Sequence, residues 1–521
     1  MDIETHEMES RKSTALSIAV MVIAAFTLLL VTMTPINGDV AFLVHMAKNT
    51  ALSNFYQQFY EVNPPLIVYL YKLFLVPYHL GFLSDISSIR LGTSIYLLGS
   101  VWVCAKVLSH LTKEQREPLI LAIALSLLII NPLMFSQREQ FIAAGLMVYF
   151  AFSYACFYTA HSAGLKVVTA FFLALSLSLK PQYGTVFLLV EAYLWFRYGN
   201  ANKRLFYIAV VSFGALYVAS VYWFNEDYLS IIVPWAREYY SSYFKDFSDV
   251  VGVAVLLLVT TVPSYLYLRT LKYDHRCLEL GAVFLIGALV AFVSGRTAFS
   301  YHLIPASAFS YLLVNLSLIV GVRSMLTRFE LKQILVITVL GPLVIWQWPY
   351  FMKVPQFSLN SSVSRLMSES QELHKDMIID KDLLDFSDAI REVSTPGDGI
   401  VFLASKGMYL QHSIPLHNSL DWSSRMPNFW LLPNAIERKD EPEQKKHIAW
   451  IQKAVIADFE KMKPNVLIKE EYDADRKPKH KLVLQTLEQS PPLKSIIDRY
   501  QFVSSHRYKY SVYHLYVLKG D

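Results

Sequence analysis

Charge is what this chain has least of. Only 17% of its 521 residues are Asp, Glu, Lys or Arg, against about 25% in ordinary soluble domains. The deficit is matched by a 54% hydrophobic content and a mean hydropathy of +0.35. The apolar residues come in blocks, each long enough to cross a ~30 Å hydrocarbon core as a helix. A soluble globular protein is thereby excluded, and a polytopic membrane protein is expected. Cysteine is equally scarce. Cys104, Cys156 and Cys277 all fall in or beside apolar runs, so they read as small core hydrophobes and imply no disulfide framework. No Gly-rich dinucleotide loop and no P-loop is present, which disfavours a nucleotide donor. The net charge of +5 is modest, and no nucleic-acid partner is expected. No small-residue cleavage site follows the first apolar run before Asp39, so that run reads as a retained first helix.

Eleven spans are expected, at 14–33, 86–108, 118–133, 139–160, 164–179, 183–198, 205–223, 249–268, 277–294, 303–321 and 332–350. The apolar run 64–81 is ambiguous, because it is short, opens on two prolines and carries Lys72. Charge asymmetry arbitrates. If 64–81 does not span, fifteen basic residues lie on one side of the membrane and eight on the other. If it spans, the bias disappears. The N-terminus is therefore expected in the cytoplasm, with 64–81 as a re-entrant or interfacial helix inside the first outer loop, 34–85. Such backbone is tolerated only where protein or a water-filled cavity covers it.

Beyond about residue 350 the composition changes to charged, short, mixed segments. Helical spacing over 379–394, 445–462 and 482–500 alternates with strand-like runs at 400–403, 466–468, 502–505 and 510–518. That alternation predicts a small α/β domain over 351–521, beside a transmembrane catalytic domain over 1–350. An odd number of spans places the small domain outside.

The outer loops hold the unusual residues. The first carries Asp39, His45, Glu61 and Asn63, the last just ahead of Pro64-Pro65. The second carries Arg138-Glu139 and the third Lys180. The fourth has Trp235 among tyrosines, and the fifth reads through Arg296 to Tyr301-His302. Charges at membrane ends are costly to desolvate, about 2.5–3.5 kcal/mol each on insertion scales. Singly, each has a plain reading: a solvated acid, a snorkelling cation, an interfacial aromatic belt. Together, cations from several loops around two acids make up a site for an anionic, phosphate-bearing ligand beside a general base.

An acid just after the outer end of the first helix, then acid-x-x-Pro-Pro-Leu (Glu61 to Leu66) entering a short helix, resembles the GT-C superfamily of polytopic glycosyltransferases. The likeness is to the bacterial branch related to protein O-mannosyltransferases and the lipid A aminoarabinose transferase. It covers roughly residues 14–350, and an outer C-terminal α/β domain also fits. Two departures stand out. Asp39 is followed by Val40 rather than a second acid, and Asn63 occupies the position of the motif lysine.

The resemblance implies a glycosyltransferase of the bacterial inner membrane. Its donor would be a polyprenyl-phosphate sugar, and its acceptor a hydroxyl of a glycan, lipid or protein. Asp39 would be the general base of an inverting displacement, with Glu61 and Glu139 as the other catalytic acids. The phosphate-binding role of the missing lysine would pass to Arg138, Lys180, Arg296 and His302. The acceptor and sugar would meet His45, Asn63, Tyr301 and Trp235. Some relatives use a divalent metal, which Asp39, Glu61, Glu139 and His45 are of a type to bind, though no tight ligand spacing marks them. The competing readings are a lipid or saccharide transporter or flippase, disfavoured by the lack of an inverted repeat, and a polysaccharide ligase or polymerase.

Overall fold

The computed structural model describes residues 2–129, 132–199, 203–327, 359–367, 372–373, 377, 379–405, 408–472, 478–509 and 511–519. Ten of the eleven expected spans are helices, from Asp2–Thr32 to Ile304–Thr327; the eleventh, 332–350, lies outside the described residues. Six helices among the described residues are long and apolar enough to cross a membrane. The chain is a multi-pass helical membrane protein with a small C-terminal sheet. The ambiguous run forms a ten-residue helix, Pro65–Phe74, followed by a single turn, Val76–His79, and at ~1.5 Å per residue the longer piece is about 15 Å, half a bilayer core.

The contacts divide the chain into two compact units that are interleaved in sequence. One holds residues 1–31, 90–220 and 243–357, and the other residues 32–89, 221–242 and 358–521.

The first unit is a helical bundle. Its innermost helix is Arg138–Ala155, in which every residue from Glu139 onward is buried. Without a hydrophobic driving force between helices in lipid, close approach depends on small residues and interhelical hydrogen bonds. Gly145 supplies the first. A Cβ there would lie 2.1 Å from Ser176 Oγ and 2.4 Å from the Phe172 carbonyl oxygen of the Ala163–Leu179 helix. Ser176 supplies the second, donating to the Ile142 carbonyl at 3.2 Å. Gly145→Ala is therefore expected to destabilise the protein by about 1–3 kcal/mol through overpacking. Gly99→Ala, where a Cβ meets nothing within 4 Å, is expected to be neutral or slightly stabilising. Thermal unfolding of the two purified variants checks the contrast. Glu191, on the Gly184–Tyr198 helix, ties two further helices to it. It accepts from Tyr149 Oη (2.5 Å), Tyr207 Oη (2.6 Å) and Lys203 Nζ (3.0 Å).

The second unit is built on a five-stranded mixed sheet: β1 Gly399–Leu403, β2 Asp421–Trp422, β3 Val466–Tyr472, β4 Tyr500–Tyr508 and β5 Ser511–Leu518. The order is β2-β1-β3-β5-β4, with the first three strands parallel and β5 antiparallel to both its neighbours. Ile400 to Leu403 are each at most 1% exposed, the continuous apolar run expected of a parallel strand covered on both faces. The expected helix over 482–500 is two helices, Pro478–Glu488 and Pro491–Ile497, broken where Pro491-Pro492 cannot continue the first.

Two distant segments join this sheet unit. The loop 34–85 is largely helical, and its Gly38–Asn49 helix packs on Met408–His417. The Ile36 N–H donates to His417 Nε2 (3.0 Å) and the Tyr60 N–H to the Arg425 carbonyl (2.6 Å). From residues 221–242, Asn225 donates to Tyr69 Oη (2.8 Å), and Tyr239 Oη donates to Gln444 Oε1 (2.6 Å).

Candidate active site

In the sheet unit, Asp39 stands in the first turn of Gly38–Asn49. Asn37 caps that helix, its Oδ1 accepting the Asp39 N–H at 3.0 Å. An Asn cap, an acid in the first turn and Lys48 in the last suit the helix dipole at both ends. This is why a polar loop so rich in small and apolar residues turns helical immediately after the first span. Asp39 is half-buried, while Val40 to Ala47 pack inward.

Glu61 is 4% exposed. Its Oε1 accepts both the backbone N–H (2.8 Å) and the side-chain amide (2.5 Å) of Asn63, and Tyr56 Oη donates to the Asn63 carbonyl (2.5 Å). These bonds lock the turn into which Pro64 and Pro65 feed the next helix, with proline at its first position. Trp235 packs against Trp450 at 4.9 Å, His447 at 4.5 Å and Tyr60 at 5.2 Å between centroids.

His45 is 1% exposed, and its ring faces that of His412 at 6.3 Å. His412 Nε2 donates to the Pro427 carbonyl oxygen (2.6 Å), and its ring meets Trp422 at 4.3 Å. Burial pushes both imidazoles down. His412 falls to about 3, and His45 falls well below the usual value through burial, then His412 and Lys48. Both are therefore neutral in the folded protein.

An unfolded histidine binds its proton near pH ~6.5, whereas the folded pair refuses it, so stability is complete above that pH and is lost as pH falls toward about 3. At pH ~4.5 His412 alone is expected to cost about 2–3 kcal/mol. Thermal unfolding should fall steeply between neutral pH and that point, and less steeply in His412→Gln; parallel curves would count against the assignment.

In the helical unit, the loops expected as the second, third and fifth outer ones do meet. Glu139 is fully buried at the start of its helix. Its Oε1 lies 3.0 Å from Arg138 Nε, 3.0 Å from Lys180 Nζ and 3.6 Å from His302 Nε2. Lys180 is positioned by the break between Ala163–Leu179 and Gly184–Tyr198, where Pro181 ends one helix and a short turn opens the next. His302 is held by Thr297 Oγ1 at Nδ1 (2.8 Å), and its carbonyl accepts Tyr183 Oη (2.9 Å). Thr297 and Tyr183 escape a sequence reading, because a hydroxyl that orients a histidine carries no spacing signature. Two basic side chains, Arg138 and Lys180, with His302 beside them, thus face the single Glu139 carboxylate. Glu139 Oε2 and His302 Nε2, both buried, have no hydrogen-bond partner among the described residues. A buried polar atom without a partner costs about 1–3 kcal/mol, so the cluster is poised to take one.

Of the other expected residues, Tyr301 packs edge-on against the His302 ring at 4.4 Å. Arg296 is exposed and caps the His275–Gly295 helix in the left-handed region (φ 51°). Its guanidinium lies over Phe244 at 5.5 Å, and no ion pair joins it to Glu139 among the described residues. No group of three or more His, Cys, Asp or Glu side chains among the described residues is arranged as a metal site.

Known structures place this architecture. The crystal structure of ArnT from Cupriavidus metallidurans bound to undecaprenyl phosphate aligns over 97% of this chain and 98% of that one, with a TM-score of 0.52 and 11% identity. The fold is that of ArnT. Its apo crystal structure aligns over the same shares, with a TM-score of 0.50 and 10% identity. The alignment takes in the sheet unit as well as the helical one. No family model matches the sequence, and no curated protein does.

Proposed function

We propose that this protein is a membrane glycosyltransferase that moves a sugar from a polyprenyl-phosphate donor to an acceptor hydroxyl. The observation that carries the reading is the buried cluster Arg138–Glu139–Lys180–His302, set in the fold of a protein whose crystal structure holds undecaprenyl phosphate. Such a donor keeps its tail in the bilayer, so its phosphate–sugar bond lies at the membrane surface. Its leaving group is already an anion and needs no protonation. It needs cations that meet the charge as it grows. Arg138 and Lys180 are assigned that role, with His302 as a neutral donor and Arg296 as a further cation from the fifth loop. Glu139 sets the positions of the two cations and lowers the cost of holding them buried.

Asp39 is assigned as the base that takes the acceptor proton as the oxygen attacks the anomeric carbon, and direct displacement inverts that centre. Glu61 shapes the turn at Asn63-Pro64-Pro65. Asn63, Tyr301 and Trp235 remain the sugar and acceptor candidates, whereas His45 is assigned to packing by its burial. The charge asymmetry of the loops puts the N-terminus in the cytoplasm and the sheet unit outside the bacterial inner membrane. Mass spectrometry of lipid that co-purifies with the protein tests the donor class. A polyprenyl-phosphate species is expected, and folded protein carrying only bulk phospholipid would count against it.

A further inference from the structure

A polar cleft of about 440 Å³ opens in the sheet unit, within the ~300–1,000 Å³ range of small-ligand sites. It lies where β1 and β3 begin and β2 ends, and residues of the first outer loop close one wall. Its floor is built. Asp458 is 3% exposed and accepts the Arg425 backbone N–H (2.8 Å), Arg425 Nε (2.9 Å) and Ser424 Oγ (3.4 Å). Arg425 is thus clamped through its backbone and Nε, while its two terminal nitrogens have no partner among the described residues. Trp422, 4% exposed, lines the same cleft with its Nε1 unpartnered among the described residues. The rim carries the side-chain amides of Gln57 and Asn465, both exposed.

The charges decide the ligand class. Asp421 and Asp458 are matched by Arg425 and Lys461, so the cleft has no net charge, where a phosphate or nucleotide site needs a surplus of cations. Paired amides, a clamped guanidinium and a carboxylate offer donors and acceptors side by side, the pattern that vicinal hydroxyls require, and Trp422 and Phe59 add apolar faces. A peptide added to a sheet needs a free strand edge, and this cleft sits at strand ends. We infer that the cleft is a binding site for a neutral saccharide, placed to hold the glycan portion of an acceptor. That acceptor role rests on the glycosyltransferase reading; saccharide binding does not.

The test is retention of full-length protein on an array of neutral, uronic-acid and sulfated oligosaccharides with peptide controls. It is run in a detergent without a sugar headgroup, because a maltoside would compete. Wild type is expected to prefer neutral oligosaccharides. Gln57→Ala/Asn465→Ala is expected to lower retention at least about tenfold with thermal unfolding unchanged, and Arg425→Lys, which keeps the charge but loses the fork, by a similar factor. Asp39→Asn should bind as wild type. Absence of glycan retention by wild type, a preference for anionic glycans or peptides, or retention indifferent to both cleft variants overturns the site. Sugar transfer without retention would sink the cleft alone, and retention without transfer would sink the glycosyltransferase reading alone.

Discussion

Asp39→Asn is expected to lower sugar transfer by about 10²–10⁴-fold, the usual contribution of a positioned general base. Asparagine keeps the shape of the side chain and removes only its capacity to take a proton. The bond from the residue 39 N–H to Asn37 that starts the helix is a backbone bond and survives, so thermal unfolding should stay close to wild type. Asp39→Glu, which restores a base about one methylene displaced, should recover part of the rate. An Asp39→Asn protein that transfers sugar at the full rate would remove Asp39 from the mechanism.

Glu139→Ala is expected to cost about 3–5 kcal/mol of stability, because it leaves Lys180 and Arg138 desolvated without their common partner. Glu139 contacts three basic side chains through one oxygen, so its loss is not a loss of one bond. The double variant Glu139→Ala/Lys180→Ala should be less destabilised than the two single losses added together, since it removes a buried charge along with its counter-charge. That non-additivity, of the ~0.5–3 kcal/mol size seen for residues in contact, is read from thermal unfolding of the four proteins in one detergent. Strict additivity would mean the pair is not coupled. Lys180→Ala alone should weaken donor binding more than it slows the bound donor, since a cation facing the phosphate acts on the ground state as well as the transition state.

The sequence reading succeeded where the physics is local or one-dimensional. Long apolar runs placed ten helices, because length and hydropathy alone decide what crosses a bilayer. The apolar stretches at 400–403 and 466–468 became the two central parallel strands, because a strand buried on both faces has no polar alternation to confuse it. Arg138, Glu139, Lys180 and His302 were selected as charges stranded at membrane ends, and desolvation forces such charges to find one another. What no local pattern announces is long-range. Arg296 belongs to the same pattern of charges but lies over Phe244 rather than against Glu139, since an exposed cation pays nothing to stay solvated. His45 looked like a loop histidine, and the Met408–His417 helix, more than 360 residues away in sequence, buries it. The two-residue strand β2 has no pattern to read. The joining of residues 32–89 and 221–242 to the sheet unit depends on pairs such as Tyr69–Asn225 and Tyr60–Arg425, which no window of sequence contains.

The central claim is that the cation cluster and Asp39 serve transfer of a sugar from a lipid phosphate. The most direct measurement incubates the purified protein in lipid vesicles with a polyprenyl-phosphate sugar and a hydroxyl acceptor, and follows free polyprenyl phosphate and the anomeric configuration of the product. Release of polyprenyl phosphate matched one for one by an inverted glycoside is expected, slowed about 10²–10⁴-fold in Asp39→Asn. A product with retained configuration would contradict the direct displacement, and equal turnover of wild type and Asp39→Asn would contradict the account as a whole.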